Sequence, residues 1–193
     1  MKADDLSRLR SLLTCGDDNL AEKAVAEIAL HGSQAIPFLK EMLSSQENET
    51  RWWATRALAE INDPQVIPLL LDKLNDSDNS VCQCAALALR QHPEPEAVPQ
   101  LVSLLGSHDR LLAHLASDAL AAIGKPSVPA LIDTINNSPH AARLEAFRAL
   151  ARIGDPETIP VLFSAYEQNS ALMEFWADEG LERMGVGMIF FKP

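Results

Sequence analysis

Any chemistry in this chain would have to come from five histidines, three cysteines and a few paired carboxylates. Cys82-Gln83-Cys84 is the most suggestive motif. Residues two apart on a helix are turned by about 200° from one another, so two such thiols cannot grip one ion. Both read as small, partly buried apolar residues. His31 and His92 share the register of Ile61, Ile123 and Ile153. They read as packed, hydrogen-bonded histidines near helix C-termini, where a partly positive ring is favoured. The pairs Asp4-Asp5, Asp17-Asp18 and Asp178-Glu179 fall at loops and helix starts. Carboxylates there usually serve as solvated caps. No Ser-His-Asp set and no glycine-rich phosphate loop occurs. The expectation is no catalytic residue, no metal site and no cofactor.

Composition narrows the classes further. The 193 residues hold 16 Lys and Arg against 27 Asp and Glu, a net charge of -11, and 47% are apolar. That apolar share suits a packed protein rather than a disordered one. The acidic balance argues against nucleic acid, whose phosphates need clustered cations, and against an anionic membrane surface. No window holds 18 uninterrupted apolar residues, so no membrane span is expected. The start, MKADDLSRLR, lacks the apolar core of a signal peptide, and three cysteines without framework spacing suit reduced thiols. Both point to a cytoplasmic protein.

The elements that position these residues repeat. Ile/Val-Pro recurs at Pro37, Pro68, Pro99, Pro129 and Pro160, spaced by 31, 31, 30 and 31 residues. Two residues after each proline is a Leu (39, 70, 101, 131, 162), and six after is Leu43, Leu74, Leu105, Ile135 or Tyr166. Those offsets lie on one helical face. Out of phase runs a second series, Ala24, Ala54, Ala85, Ala116, Ala146 and Ala177. Four residues after each is Ile28, Leu58, Leu89, Leu120, Leu150 or Leu181. The residue just before that apolar one is Ala57, Ala88, Ala119, Ala149 or Gly180, with Glu27 as the exception. Small residues at that place let a neighbouring helix approach closely. Each unit of about 31 residues therefore holds two helices of ordinary length. Asp63-Pro64 and Asp155-Pro156 mark the turns between them, with Asp as N-cap and Pro just inside the helix.

The spacing predicts an all-α, right-handed α-α superhelix of about twelve helices, one domain over 1–193. Residues 1–16 form an N-terminal capping helix. Repeats follow at 17–45, 46–76, 77–106, 107–137 and 138–168. Residues 169–193 form a half repeat with an apolar capping tail. Each repeat leans mainly on its neighbours.

Arg51-Trp52-Trp53-Ala54-Thr55-Arg56-Ala57-Leu58-Ala59-Glu60-Ile61-Asn62-Asp63-Pro64 and Arg148-Ala149-Leu150-Ala151-Arg152-Ile153-Gly154-Asp155-Pro156 resemble HEAT repeats, of the short kind found in phycobilin-lyase subunits. The resemblance implies a solenoid and says little about function. Di-iron deoxyhypusine hydroxylases of similar repeat form use His-Glu pairs, and none of the five histidines here is followed by Glu. HEAT-like DNA glycosylases need a basic surface, the opposite of this charge. Bilin lyases remain open.

Two surfaces follow. The position two before each recurring Ala, almost opposite the buried face, holds Glu22, Trp52, Gln83, His114, Leu144 and Phe175. Trp52 and Phe175 there form a possible exposed aromatic patch, while Trp53 and Trp176 read as core. The resemblance places the second helix of each repeat on the concave side. Its outward stripe includes Gln34, Phe38, Glu41, Gln65, Leu69, Asp72, Glu96 and Gln100, with no Lys or Arg. Apolar centres with carboxylate edges suit a basic or amphipathic protein segment. Residues 1–96 carry more of the net acidic charge than residues 97–193, so such a partner should engage the first half. The expected function is a monomeric, non-enzymatic interaction module or scaffold. The alternatives are an accessory subunit resembling phycobilin lyases, acting on a chromophore- or metal-containing protein, and self-assembly through the apolar tail.

Overall fold

The computed structural model describes residues 3–186, and the apolar tail at 187–193 lies outside the described residues. Among the described residues there are twelve α-helices and no strand. The second-helix series is α1 (Ala3–Leu13), α3 (Ile36–Leu43), α5 (Ile67–Lys73), α7 (Val98–Leu104), α9 (Val128–Asn137) and α11 (Ile159–Phe163). The first-helix series is α2 (Asp18–Leu30), α4 (Asn48–Ala59), α6 (Asn79–Gln91), α8 (Arg110–Ile123), α10 (His140–Ile153) and α12 (Ala171–Arg183). The fold is an all-α solenoid of helix pairs.

The chain divides into two compact units, residues 1–92 and 93–193. In the first, α1 packs on α2, α3 on α4 and α5 on α6, while α2, α4 and α6 stack in turn. In the second, α7 pairs with α8, α9 with α10 and α11 with α12, while α8, α10 and α12 stack.

The two sequence series are the two sides of each unit's core. All six alanines of the series are fully buried, and so are Leu39, Leu70, Leu101, Leu131 and Leu162. Burying one such Leu is worth about 1.5–3 kcal/mol. The small residue before each seam leucine allows close approach, most tightly at Gly180. A Cβ there would stand 2.8 Å from Ala151 Cα and 2.9 Å from Leu162 Cδ1. Glu27, the exception, is ion-paired to Arg8 of α1.

The turns follow local chemistry. Asp17, Asp78 and Asp109 cap α2, α6 and α8 by accepting from backbone N–H groups of the first turn. Helices α3, α5, α7, α9 and α11 are each entered through a short 3-10 turn, and the proline of each sits within the first two helical positions. There the missing N–H costs nothing. Asp63 and Asp155 cap those 3-10 turns, accepting from Gln65 N at 2.8 Å and Glu157 N at 2.9 Å. Gly154 ends α10 in the left-handed region at φ 65°.

One position departs from the periodicity. Tyr166 occupies the register of Leu43, Leu74, Leu105 and Ile135, which are buried, yet it is exposed. The helix tightens to 3-10 geometry over Ser164–Glu167, and the fully buried residue becomes Ala165. A 3-10 turn advances each residue by a larger angle, so the α-helical register is lost. The Tyr166 hydroxyl donates to the Asp178 carboxylate, and burial together with that carboxylate pushes the phenol up to about 12.

Candidate functional site

The second-helix stripe of the first unit is built on α3 and α5. Gln34, Glu41, Gln65 and Asp72 are exposed, and Leu69 is half-buried. Phe38 is only 5% exposed, a correction to its reading as an outward anchor. The cause lies in another helix. Arg10 of α1 sets its guanidinium 5.6 Å from the Phe38 ring centre and pairs with Glu41 at 2.8 Å. Beside this stack is an open cavity of about 450 Å³ lined by Leu6, Ser7, Arg10, Gln34, Pro37, Phe38 and Glu41. The stripe is likewise not free of cations. Arg10 enters it from α1, and Lys73 reaches back to Asp72 at 3.1 Å and Asp76 at 3.6 Å.

The remaining stripe residues belong to the second unit. Glu96 is exposed in the turn before α7, and Gln100 is half-buried with its side-chain oxygen lacking a hydrogen-bond partner. Ala130 and Val161 are half-buried, while Asp133 and Glu157 are exposed. Lys125 holds Glu157 at 2.8 Å.

The first-helix faces differ between the units. In the first, Trp52 is half-buried and Trp53 is buried, their rings edge-to-face at 4.8 Å. They floor an open cavity of about 440 Å³ whose rim holds Asp18, Glu22 and Glu49. Arg56 already grips Glu22 with Nε and Nη2, each at 3.2 Å. In the second unit Phe175 is exposed, while Trp176 is half-buried at the wall of a cavity of about 460 Å³.

Two charged clusters are invisible in the periodicity. Arg51 of α4 binds both oxygens of Asp76, at 2.9 and 2.7 Å, and donates to the carbonyls of Ser45 and Gln46 at 3.0 Å. These bonds hold the Asp76 carboxyl below the usual carboxylate range. In the second unit, buried Glu145 accepts from His114 Nδ1 at 2.6 Å and lies 3.4 Å from Arg148, which also binds Asp118 at 2.6 Å. Both clusters join residues 25 to 31 positions apart. A charged residue in a buried helix register, as at Arg51 and Glu145, was the signal available in the sequence.

Cys82 and Cys84 are buried, and their sulfurs face different carbonyls, Asp76 O at 3.2 Å and Trp52 O at 4.0 Å. Burial pushes the Cys84 thiol up to about 12 and raises that of Cys82. His92 Nε2 donates to Ala59 O at 2.8 Å, as its packed position implied. Among the described residues no group of three or more His, Cys, Asp or Glu side chains could hold a metal ion. No helix among them is long and apolar enough to cross a membrane. What the surfaces offer is shape, apolar contact and charge.

Comparison with known proteins bears on the fold. The model of HEAT repeats matches residues 6–90 and 67–143. The chain belongs to the HEAT-repeat family. Members of that family generally mediate protein–protein contacts. A phycobilisome maturation protein of Synechococcus elongatus is 36% identical over 58 residues, 30% of this chain and 28% of that protein. The match thus spans under a third of the relative's length. Among solved structures, an archaeal HEAT-like repeat protein from Thermococcus onnurineus superposes with a TM-score of 0.67 at 17% identity, covering 97% of this chain and 83% of that one. The complex of CpcE and CpcF of phycocyanin lyase from Nostoc sp. gives 0.61 at 19% identity, covering 77% and 99%. These likenesses show the HEAT-like fold.

Proposed function

We propose that this HEAT-repeat protein is a non-enzymatic interaction module, and that its first unit binds a basic or amphipathic segment of a partner protein along α3 and α5. The observation that carries the reading is the seat of Arg10. A guanidinium rests on the Phe38 ring and on the Glu41 carboxylate, at the edge of an open cavity. The stripe therefore already accommodates the group that a basic partner would bring. Cation–π contact of this kind is worth about 0.5–1 kcal/mol at an exposed site and more when desolvated. Leu69 supplies apolar surface further along, and Asp72 and Gln65 supply exposed polar edges. The excess negative charge of residues 1–96 would speed encounter with a cationic segment.

The test is affinity capture from the native host, comparing the natural protein with Glu41→Lys plus Asp72→Lys. Both side chains are exposed, and unaltered circular dichroism will show that the variant folds. Retention of one dominant partner by the natural protein, and its loss by the variant, supports the reading. An equal yield from both removes the stripe from consideration.

One observation favours a second reading, an accessory subunit acting on a chromophore- or metal-containing protein. It is the 36% match to a phycobilisome maturation protein. Co-expression with a bilin-bearing protein should then yield a coloured complex, and a colourless preparation would argue against it.

A further inference from the structure

We propose that the first-helix face of the second unit is a separate docking site, for an amphipathic helical segment of a partner that carries carboxylates. Leu111 of α8 is 55% exposed, and Leu172 and Phe175 of α12 are 57% and 50% exposed. Between them, Leu144 of α10 and Trp176 line the cavity of about 460 Å³. Large apolar side chains gathered at one open cavity mark interaction surfaces more often than chance exposure does.

The fold does not require apolar residues there, and the chain provides its own control. Relative to the buried alanine of each first helix, the positions five and two before it are Leu111 and His114, Ala141 and Leu144, and Leu172 and Phe175 in the second unit. In the first unit the same positions are Asn19 and Glu22, Glu49 and Trp52, and Ser80 and Gln83. The alanines are fully buried in both units, so the helices pack alike. The second unit makes this face apolar at five of the six positions, the first unit at Trp52 alone.

The cavity is also held in shape. Phe175 packs edge-on to Trp176 at 5.0 Å, and the Arg148 guanidinium lies 5.7 Å from the Trp176 ring centre. Arg148 is itself fixed by Asp118 and Glu145. A site whose walls are already ordered loses less freedom when it binds.

Charge selects the occupant. Glu145, the acidic group at the cavity, is buried, accepts a hydrogen bond from His114 Nδ1 and is paired with Arg148 at 3.4 Å. Arg110 at the rim is exposed and makes no ion pair among the described residues. The uncompensated charge is therefore positive, in a chain whose net charge is -11. Spacing selects a helix. Packed helices lie about 8–10 Å apart, so Leu111, Leu144 and Phe175 form a row roughly 20 Å long. A helix laid across them advances about 10.5 Å in seven residues and offers an apolar side chain to each in turn.

The test uses a fluorescein-labelled, 18-residue amphipathic peptide with leucines on one face and glutamates on the other. Its binding to the full chain is read by anisotropy. The expected result is saturable binding that weakens at least tenfold with Arg110→Glu and with Leu111→Ser plus Leu172→Ser. Lys23→Glu, a reversal of an exposed cation in the first unit, should leave it unchanged. The substituted side chains are exposed, and unaltered circular dichroism will show that the variants fold. No binding, or binding indifferent to these variants, would overturn the proposal. So would sedimentation showing a dimer that the leucine pair dissociates, which assigns the face to a second copy. Binding that appears only after removal of residues 187–193 would assign the face to the chain's own C-terminal segment and overturn it as well.

Discussion

Gly180→Ala sets two well-known effects against each other. Replacing a mid-helix glycine by alanine ordinarily stabilises a helix by about 1 kcal/mol. The repeat itself recommends the change, since Ala57, Ala88, Ala119 and Ala149 hold the same register. At Gly180, however, the new Cβ would stand 2.8 Å from Ala151 Cα, 2.9 Å from Leu162 Cδ1 and 3.2 Å from Ala151 Cβ. An ordinary contact begins near 3.4 Å. The first of these atoms is backbone of α10, and Leu162 is fully buried, so neither moves without parting α12 from α10 and α11. Overpacking of this kind costs about 1–3 kcal/mol. With two hard contacts the cost lies in the upper part of that range, and the net effect is a loss of about 1–2 kcal/mol. Repeat arrays can open in pieces, so the assay is amide hydrogen exchange resolved over α12, supported by urea unfolding. The predicted result is exchange in α12 faster by roughly five- to thirtyfold. Slower exchange, with a higher urea midpoint, would refute the close approach of α12 to α10.

Three further outcomes follow from the same structure. Arg51→Met removes the two-pronged bond to Asp76 and leaves that carboxylate only Lys73 at 3.6 Å and the Asp78 N–H at 3.0 Å, so it should cost about 1.5–3 kcal/mol by urea unfolding, the worth of a hydrogen-bonded charge. Asp78 caps α6 and binds Asn48 Nδ2 at 2.6 Å, and its bonds from Ser80 and Asn48 lower its carboxyl to about 2. The folded value lies below the ordinary one of 3.8, so its contribution is complete above about pH 4 and fades as pH falls towards 2. Asp78→Asn should flatten that part of an acid-unfolding curve. Of the three cysteines only Cys15 is exposed, so a thiol reagent at pH 8 should label it quickly and leave Cys82 and Cys84 unreacted until the protein unfolds.

The helices were legible because each is set by short-range signals that recur. The buried alanine, the seam leucine and the proline-led second helix all repeat at 30 or 31 residues, and every copy is filled as the period implies. Tyr166 escaped because a 3-10 turn ends the α-helical period one step early. The surface was harder to read, since its character depends on residues from other helices. Phe38 looked outward on α3, yet Arg10 of α1 covers it. Arg51 with Asp76, and His114 with Glu145, are pairings that no spacing rule announces. Leu144 and Phe175 were visible as outward residues. Leu111 and Leu172, one turn earlier in the same register, complete the patch.

The most direct test of the central claim is hydrogen exchange of the protein alone and with its captured partner. Protection confined to residues 34–41 and 65–72, and weakened by Glu41→Lys plus Asp72→Lys, is the result predicted for docking along α3 and α5. Protection elsewhere in the first unit, with those segments unchanged, would contradict it.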